Sequence, residues 1–255
     1  MIDLHCHILP GVDDGPKNLE ESLEIAIEAS NQGVTHLMCT PHHNNGRFVN
    51  PAMKVKKEVS HLQSELDRRK IDLKLLVGQE NRITGKLMEE IEKKEIVCFG
   101  KKNSFLLIEF PTNDVPLYAK KLLFRLVTQG YVPIIVHPER NKVFINDPNQ
   151  LLPFLEMGAM TQGTAPSIVG IFGRKIQKTA KKMIQANLIQ MIASDAHSLE
   201  KRNFYLKEAY SMIQKDFGEE KVNLLKKMPM DILYNNKIEQ QAYKKVKNNL
   251  LHLFG

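Results

Sequence analysis

The chain has 255 residues and a formal net charge of +7, with 36 lysines and arginines against 29 aspartates and glutamates. Its 42% hydrophobic and 25% charged residues suit one globular α/β domain spanning residues 1–255, and disfavour a disordered or fibrous chain. No apolar run approaches the roughly 18 residues that cross a bilayer. No basic-then-apolar leader opens the chain, so neither an integral membrane segment nor a signal peptide is expected.

Met1 to His7 reads as a strand in which Ile2 and Leu4 alternate with Asp3 and His5. Residues two apart share a face, so His5 and His7 project together while Cys6 points away. Alone, His-x-His fits ordinary strand-end histidines. Followed by the turn Gly11-Val-Asp-Asp14-Gly15, it can begin a metal site. Asn18-Leu-Glu-Glu21 carries a capping-box start, and Leu23, Ile27 and Ser30 continue one helical face to Gln32-Gly33. Thr35 to Thr40 is the second strand, broken by Pro41 and followed by His42-His43. Asn50-Pro51 opens a long helix whose Val55, Val59, Leu62 and Leu66 share a face.

Leu73 to Val77 is the third strand and leads to Gly78-Gln79-Glu80, with a short helix over Lys86 to Lys93 behind it. Phe105 to Ile108 is the fourth strand, ending at Glu109, and Leu117 to Gln129 is helical. Val132 to Val136 is the fifth strand, followed directly by His137-Pro138-Glu139-Arg140. Asn149 to Glu156 is helical, and Ala159 to Thr161 is a short sixth strand before Gln162-Gly163. Gly173 to Asn187 is a basic helix bearing Arg174, Lys175, Lys178, Lys181 and Lys182, ordinarily a solvated face. Leu188 to Ala193 is the seventh strand, ending in Ser194-Asp195-Ala196-His197, and Asn203 to Gly255 is a largely helical extension.

Strands alternating with helices argue for a parallel sheet, open or closed. The distribution of polar residues favours the closed barrel, because barrels gather functional side chains at the C-terminal ends of their strands. Here every strand end but the sixth offers an imidazole or a carboxylate: His5 and His7, His42, Glu80, Glu109, His137, then Asp195 and His197. Turn chemistry would supply Asn, Ser and Gly instead. Carboxylates converging at one mouth repel each other unless cations lie between them. With Asp14 these residues suffice for two or three ions. Nitrogen and oxygen donors suit manganese, iron or zinc. Closely spaced ions would supply a hydroxide for in-line attack on phosphorus.

The three cysteines form no even framework, which favours a reducing, cytoplasmic setting. A phosphocysteine mechanism would need Cys-x5-Arg. Six residues after Cys6, Cys39 and Cys98 stand Val12, Asn45 and Ser104, so that mechanism is excluded. The positive charge favours anionic partners, but no nucleic-acid motif is present and nucleic acid is not expected.

Asp3-Leu-His5-Cys-His7, Thr-Pro-His42, Glu80, Glu109, His137-Pro and Ser-Asp195-Ala-His197 resemble the polymerase and histidinol phosphatase (PHP) superfamily. The run Cys6-His-Ile-Leu-Pro-Gly-Val-Asp-Asp-Gly15 and His-Pro-Glu-Arg140 are similar to its bacterial manganese-dependent protein-tyrosine phosphatases of capsule and exopolysaccharide systems. The resemblance covers roughly residues 1–205 and implies a distorted seven-stranded, TIM-like (β/α)7 barrel. It implies one ion on His5, His7, Glu80 and Asp195, a second on Glu80, Glu109 and His137, and a third on Asp14, His42 and His197. It also implies Arg140 and Arg202 as the groups that approach phosphate. The bland reading of Arg140 is a salt bridge with Glu139 or a neighbour. The implied activity is hydrolysis of phosphotyrosine on a protein, a bacterial tyrosine kinase of polysaccharide export. The alternatives are a histidinol-phosphate or other small-molecule phosphatase, and a metal-bound docking module without catalysis.

Overall fold

The computed structural model describes residues 1–239 and 241–247. In chain order the elements are β1 (Ile2–Cys6), α1 (Leu19–Asn31), β2 (His36–Cys39), β3 (His42–His43), α2 (Ala52–Arg68), β4 (Lys74–Val77) and β5 (Glu80–Arg82). Then come α3 (Leu87–Glu92), β6 (Phe105–Glu109), α4 (Ala119–Thr128), β7 (Val132–Val136), α5 (Lys142–Asn146), α6 (Leu152–Glu156), β8 (Met160–Thr164) and α7 (Ala165–Val169). The series closes with α8 (Arg174–Gln185), β9 (Met191–Ala193), α9 (Leu206–Phe217) and α10 (Glu219–Tyr234).

The strands form two parallel sheets, ordered β1-β2-β4 and β3-β5-β6-β7-β8-β9. The strand ladder is thus divided between two sheets, and two residues explain the break. Pro41 has no N–H to give the ladder, so the strand that began as β2 stops and pairing resumes at His42 opposite Glu80. Beside it, Gly78 ends β4: a Cβ there would lie 2.4 Å from Met38 Cγ and 2.9 Å from Thr40 Cγ2. Hydrogen bonds from Gly78 N to Cys39 O (3.0 Å) and from Glu80 N to Pro41 O (3.1 Å) carry the chain across the break. At the far side, Asp195 N donates to His5 O and His7 N to Ala196 O, both at 2.9 Å, so the end of β1 lies against the segment after β9.

Buried on both faces, β6, β7 and β9 are apolar almost throughout, as buried parallel strands are. Leu106, Ile108 and Ile135 pack outward in the helix-facing core. Leu107, Ile134, Val136, Met160 and Met191 pack inward, against Met228 and Ile232 of α10. Along β6 the inward positions run Phe105, Leu107, Glu109, from apolar core to charged mouth.

The helices follow their sequence signals. Asn18 caps α1, its Oδ1 accepting from Glu21 N at 3.0 Å while Glu21 Oε2 accepts from Lys17 N. Val55, Val59, Leu62 and Leu66 are the buried face of α2. In α8 the buried positions are Thr179, Ala180, Met183 and Ile184, which leaves the lysines on the outer side. Among the described residues no helix is long and apolar enough to cross a membrane.

The expected helical stretch from Asn203 ends earlier than the sequence suggests. It is helical from Leu206 to Tyr234, with a break at Gly218, whose φ of 86° an L side chain rarely adopts. Residues 235–239 and 241–247 are not helical, and the rest of that expectation lies outside the described residues.

Candidate metal centre

His5 and His7 leave β1 buried, with their Nε2 atoms 3.2 Å apart. Each Nδ1 faces an acceptor, Gln162 Oε1 at 2.9 Å for His5 and Asp13 Oδ2 at 2.7 Å for His7. Acceptors on that side require Nδ1–H, so in the neutral rings both Nε2 lone pairs point at one place. Glu80 and Asp195 stand around it. Glu80 Oε2 is 3.3 Å from His7 Nε2 and 2.7 Å from His42 Nδ1, and Asp195 Oδ1 is 3.4 Å from His5 Nε2. The second oxygen of Glu80 accepts from His137 Nε2 at 2.7 Å.

Asp14, partly exposed at the rim, sets Oδ1 3.4 Å from His42 Nε2 and 3.3 Å from His197 Nε2. Donor atoms gather in three groups: His7, Asp14, His42 and His197; His5, His7 and Glu80; His42, Glu80 and Glu109. The sequence-nominated residues thus meet at one end of the sheets, but their grouping differs from the resemblance. His7 joins Asp14, His42 and His197, and His42 stands with Glu80 and Glu109 where His137 was expected. His137 is hydrogen-bonded to Glu80 beside that group.

The backbone contributes. His137 and Asp195 have φ of 37° and 53°, in the left-handed region, at a cost of about 1–3 kcal/mol each for such residues. Pro138–Arg140 then forms a 3-10 turn that folds Arg140 back over the mouth. Arg140 Nη2 and Arg202 Nη2 lie 2.6 Å and 2.7 Å from Asp195 Oδ2. Arg140 thus does form a salt bridge, with Asp195 and not with Glu139. Glu139 instead accepts from Thr164 N and Oγ1, at 3.0 Å and 2.9 Å, and anchors the turn to β8.

The electrostatics need more positive charge than the arginines bring. Burial, and after it the charge of Glu80, pushes Glu109 up to about 7. Burial acts against ionised Glu80 as well, but His42 and His5 hold it well below the usual carboxylate range. For His42, burial works downward and Glu80 outweighs it, raising the ring to about 10. His137 is lowered to about 3 by burial and Arg140, and His197 to about 4 by burial and His7.

Whether divalent cations fit can be judged from atoms that the protein leaves unsatisfied. Glu80 Oε2, Glu109 Oε2, Asp195 Oδ1, His42 Nδ1 and His197 Nε2 are buried and make no hydrogen bond. Their contacts are instead close pairings with charged or ionisable neighbours, and all lie within or beside the imidazole–carboxylate groups. Oxygen and nitrogen donors without thiolate suit manganese, iron or zinc. The residues fit. Cys6 and Cys39 are buried and free, their thiols raised by burial. A cavity of about 210 Å³ adjoins the cluster, lined by Glu109, His137, Arg140, Phe110, Thr112 and Arg202 among others.

Three neighbours of the centre escaped the sequence reading. Gln162 stands on β8, the one strand whose end offered no titratable residue. Asp13 is the less conspicuous half of Asp-Asp-Gly. Arg82, two residues after Glu80 on β5, reaches Glu109 Oε2 at 3.1 Å. The pairing of period two with Glu80 was the available signal for Arg82.

Residues 1–234 match the family model described as capsular polysaccharide synthesis, CpsB/CapC. The tyrosine-protein phosphatase YwqE of Bacillus subtilis is 39% identical over 255 residues, covering 100% of this chain and 99% of that protein. The tyrosine-protein phosphatase CpsB of Streptococcus agalactiae is 34% identical over 230 residues, covering 88% and 94%. A chain from the crystal structures of YwqE from Bacillus subtilis and CpsB from Streptococcus pneumoniae, described as unique metal-dependent tyrosine phosphatases, superposes with a TM-score of 0.92. Its identity is 38%, and the match covers 97% of this chain and all of that one. A histidinol phosphate phosphatase from Lactococcus lactis shares the fold, with a TM-score of 0.56 at 14% identity over 85% of this chain and 94% of that one.

Proposed function

The chain belongs to the CpsB/CapC family of capsular polysaccharide synthesis and is a tyrosine-protein phosphatase, and from that premise we propose where and how it hydrolyses phosphotyrosine. The observation that carries the reading is that Glu80 Oε2 and Asp195 Oδ1, buried and without a hydrogen bond, face the Nε2 atoms of His5 and His7. His5, His7, Glu80 and Asp195 would hold one ion. Glu80 and Glu109, with His42 and His137 beside them, would hold a second. Asp14, His42 and His197, with His7, would hold a third. Manganese is the proposed resident ion, and the same donors accommodate iron or zinc. When bound, the ions supply Lewis acidity toward phosphate oxygens and make water acidic enough to attack phosphorus near neutral pH.

The chain supplies the rest. Arg140 and Arg202 each commit one Nη atom to Asp195, and Arg202 Nε is a buried donor without a hydrogen bond. Their remaining N–H groups can take the equatorial oxygens, where charge grows in the transition state. Tyrosine leaves as a phenolate, whose conjugate acid has a pKa of about 10, so it needs less protonation than an alkoxide. An aryl phosphate therefore suits a centre whose imidazoles are occupied as donors rather than as acids.

The protein carrying the phosphotyrosine is proposed to be a bacterial tyrosine kinase of capsule or exopolysaccharide synthesis, in the cytoplasm. The family's link to capsule synthesis and the +7 charge, complementary to a phosphorylated peptide, support this. We also read the two sheets as one distorted seven-stranded barrel. The breaks at Pro41 and Gly78 and the bonds between the ends of β1 and β9 support that reading. The test is elemental analysis of the purified protein, with kcat/KM for a phosphotyrosyl peptide and for histidinol phosphate under graded chelator. Bound ions with preference for the peptide, lost on chelation, are expected. Preference for histidinol phosphate would make it a small-molecule phosphatase. Full ion loading without turnover of any aryl phosphate would make it a docking module.

A further inference from the structure

Two carboxylates stand side by side in the turn after β1, and the fold sends them to different work. Asp14 faces His42 and His197 with Oδ1 at the rim. Asp13 turns inward. Its Oδ2 lies 2.7 Å from His7 Nδ1 and also accepts the main-chain N–H of His42 at 3.1 Å, while its Oδ1 accepts from Gly15 N at 3.0 Å. The turn is pressed onto the end of β1: a Cβ on Gly15 would lie 2.3 Å from His7 O, so only glycine lets Asp13 reach this place.

His7 and His42 are the imidazoles that tie the three donor groups together. His7 belongs to the groups of His5 and of Asp14, and His42 to those of Asp14 and of Glu109. A single oxygen of Asp13 therefore touches both linking residues, one through its ring and the other through its backbone. We propose that Asp13 is a positioning residue of the ion centre: it fixes His7 as the Nδ1–H tautomer, with the Nε2 lone pair toward the shared donors, and seats His42 at the same point. A carboxylate behind a metal-facing imidazole orients the ring and makes it a better donor. His5, the other half of His-x-His, is backed only by the neutral amide of Gln162. The two histidines of the motif are thus unequal, and the one shared between groups has the charged support.

This inference rests on the ion-binding reading above, and its test separates the two. Wild type, Asp13→Asn and Asp13→Ala are stripped of metal and titrated with Mn2+ against a fluorescent chelator, and ions are counted by elemental analysis. Long-range 1H–15N spectra of the Zn2+-loaded proteins report the His7 tautomer. Asp13→Ala is expected to weaken loading about 10–100-fold, to bind fewer ions and to show mixed His7 tautomers. Asp13→Asn, which keeps one acceptor oxygen, is expected to fall between. Circular dichroism of the metal-free proteins reports folding, and should Asp13→Ala not fold, the isosteric Asp13→Asn decides. Wild-type affinity, ion count and Nδ1–H tautomer in the folded variants would overturn the role of Asp13 alone. Absence of ion uptake by wild type would overturn the centre itself, and Asp13's role with it.

Discussion

Arg140 and Arg202 converge on one oxygen of Asp195, whose other oxygen faces the imidazoles of His5 and His7. That division separates the arginine-facing from the imidazole-facing half of a single carboxylate. Arg140→Ala leaves Asp195 its Arg202 partner, so the variant should keep its ions and lose turnover by about 100-fold or more. Steady-state kinetics on a phosphotyrosyl peptide with elemental analysis checks this, and wild-type kcat would remove Arg140 from the reaction. Glu109 makes a pH prediction. Its folded pKa of about 7 stands above the ordinary 4.5, so its contribution to metal-free stability is complete below about 4.5 and fades as pH rises through 7. Glu80, shifted the other way, loses its contribution only at more acidic pH. Ions require the ionised Glu109. The rise in Tm caused by Mn2+ should therefore grow from pH 5 to pH 8, and an increment flat across that window would contradict the assignment. The residues that gather in the three donor groups could be read largely from strand ends, because a buried strand delivers its next residues to a fixed place. Asp13 and Gln162 could not, since supporting groups are defined by what they touch across the fold and carry no spacing of their own.

The elements show where local sequence loses to tertiary geometry. Pro41 was visible as a breaker, but that pairing would resume at the very next residue as β3 depends on the neighbour Gly78. Without a side chain at 78, β4 can pass Met38 and Thr40 and hand the ladder on at Glu80. Gly78→Ala should overpack this junction at a cost of about 1–3 kcal/mol, lowering Tm by about 2–4 °C for each kcal/mol. A calorimetric scan of the metal-free protein measures it, and an unchanged Tm would mean that the two strands give way freely. The short helices α5 and α7 had no periodic signal to read, five residues being too few for a face to repeat. Longer amphipathic helices such as α2 were legible to within a residue or two.

At the scale of the molecule, the alternation of strands and helices disclosed a parallel α/β architecture, and the division into two sheets was hidden in the contacts at 41 and 78. The end of the described chain, past the helices at Leu206–Tyr234, is held by tertiary contacts that no local pattern announces. The side chain of Asn149 donates to Val246 O at 3.0 Å and accepts from Val246 N at 2.8 Å, and Gln190 Nε2 donates to Tyr243 Oη at 3.0 Å. Asn149→Ala should release this stretch, so that limited proteolysis cuts between 235 and 247 faster while kcat stays as in wild type. Equal cleavage rates would show that other contacts hold it. The junction of β1 with the segment after β9 has a consequence for biosynthesis. The group of His7, Asp14, His42 and His197 draws on both extremes of the fold, so no nascent fragment shorter than 197 residues can assemble it. The proposed loading of that group would thus wait until the segment after β9 has been made and docked on β1, whereas the other two groups draw on residues 5 to 109 alone.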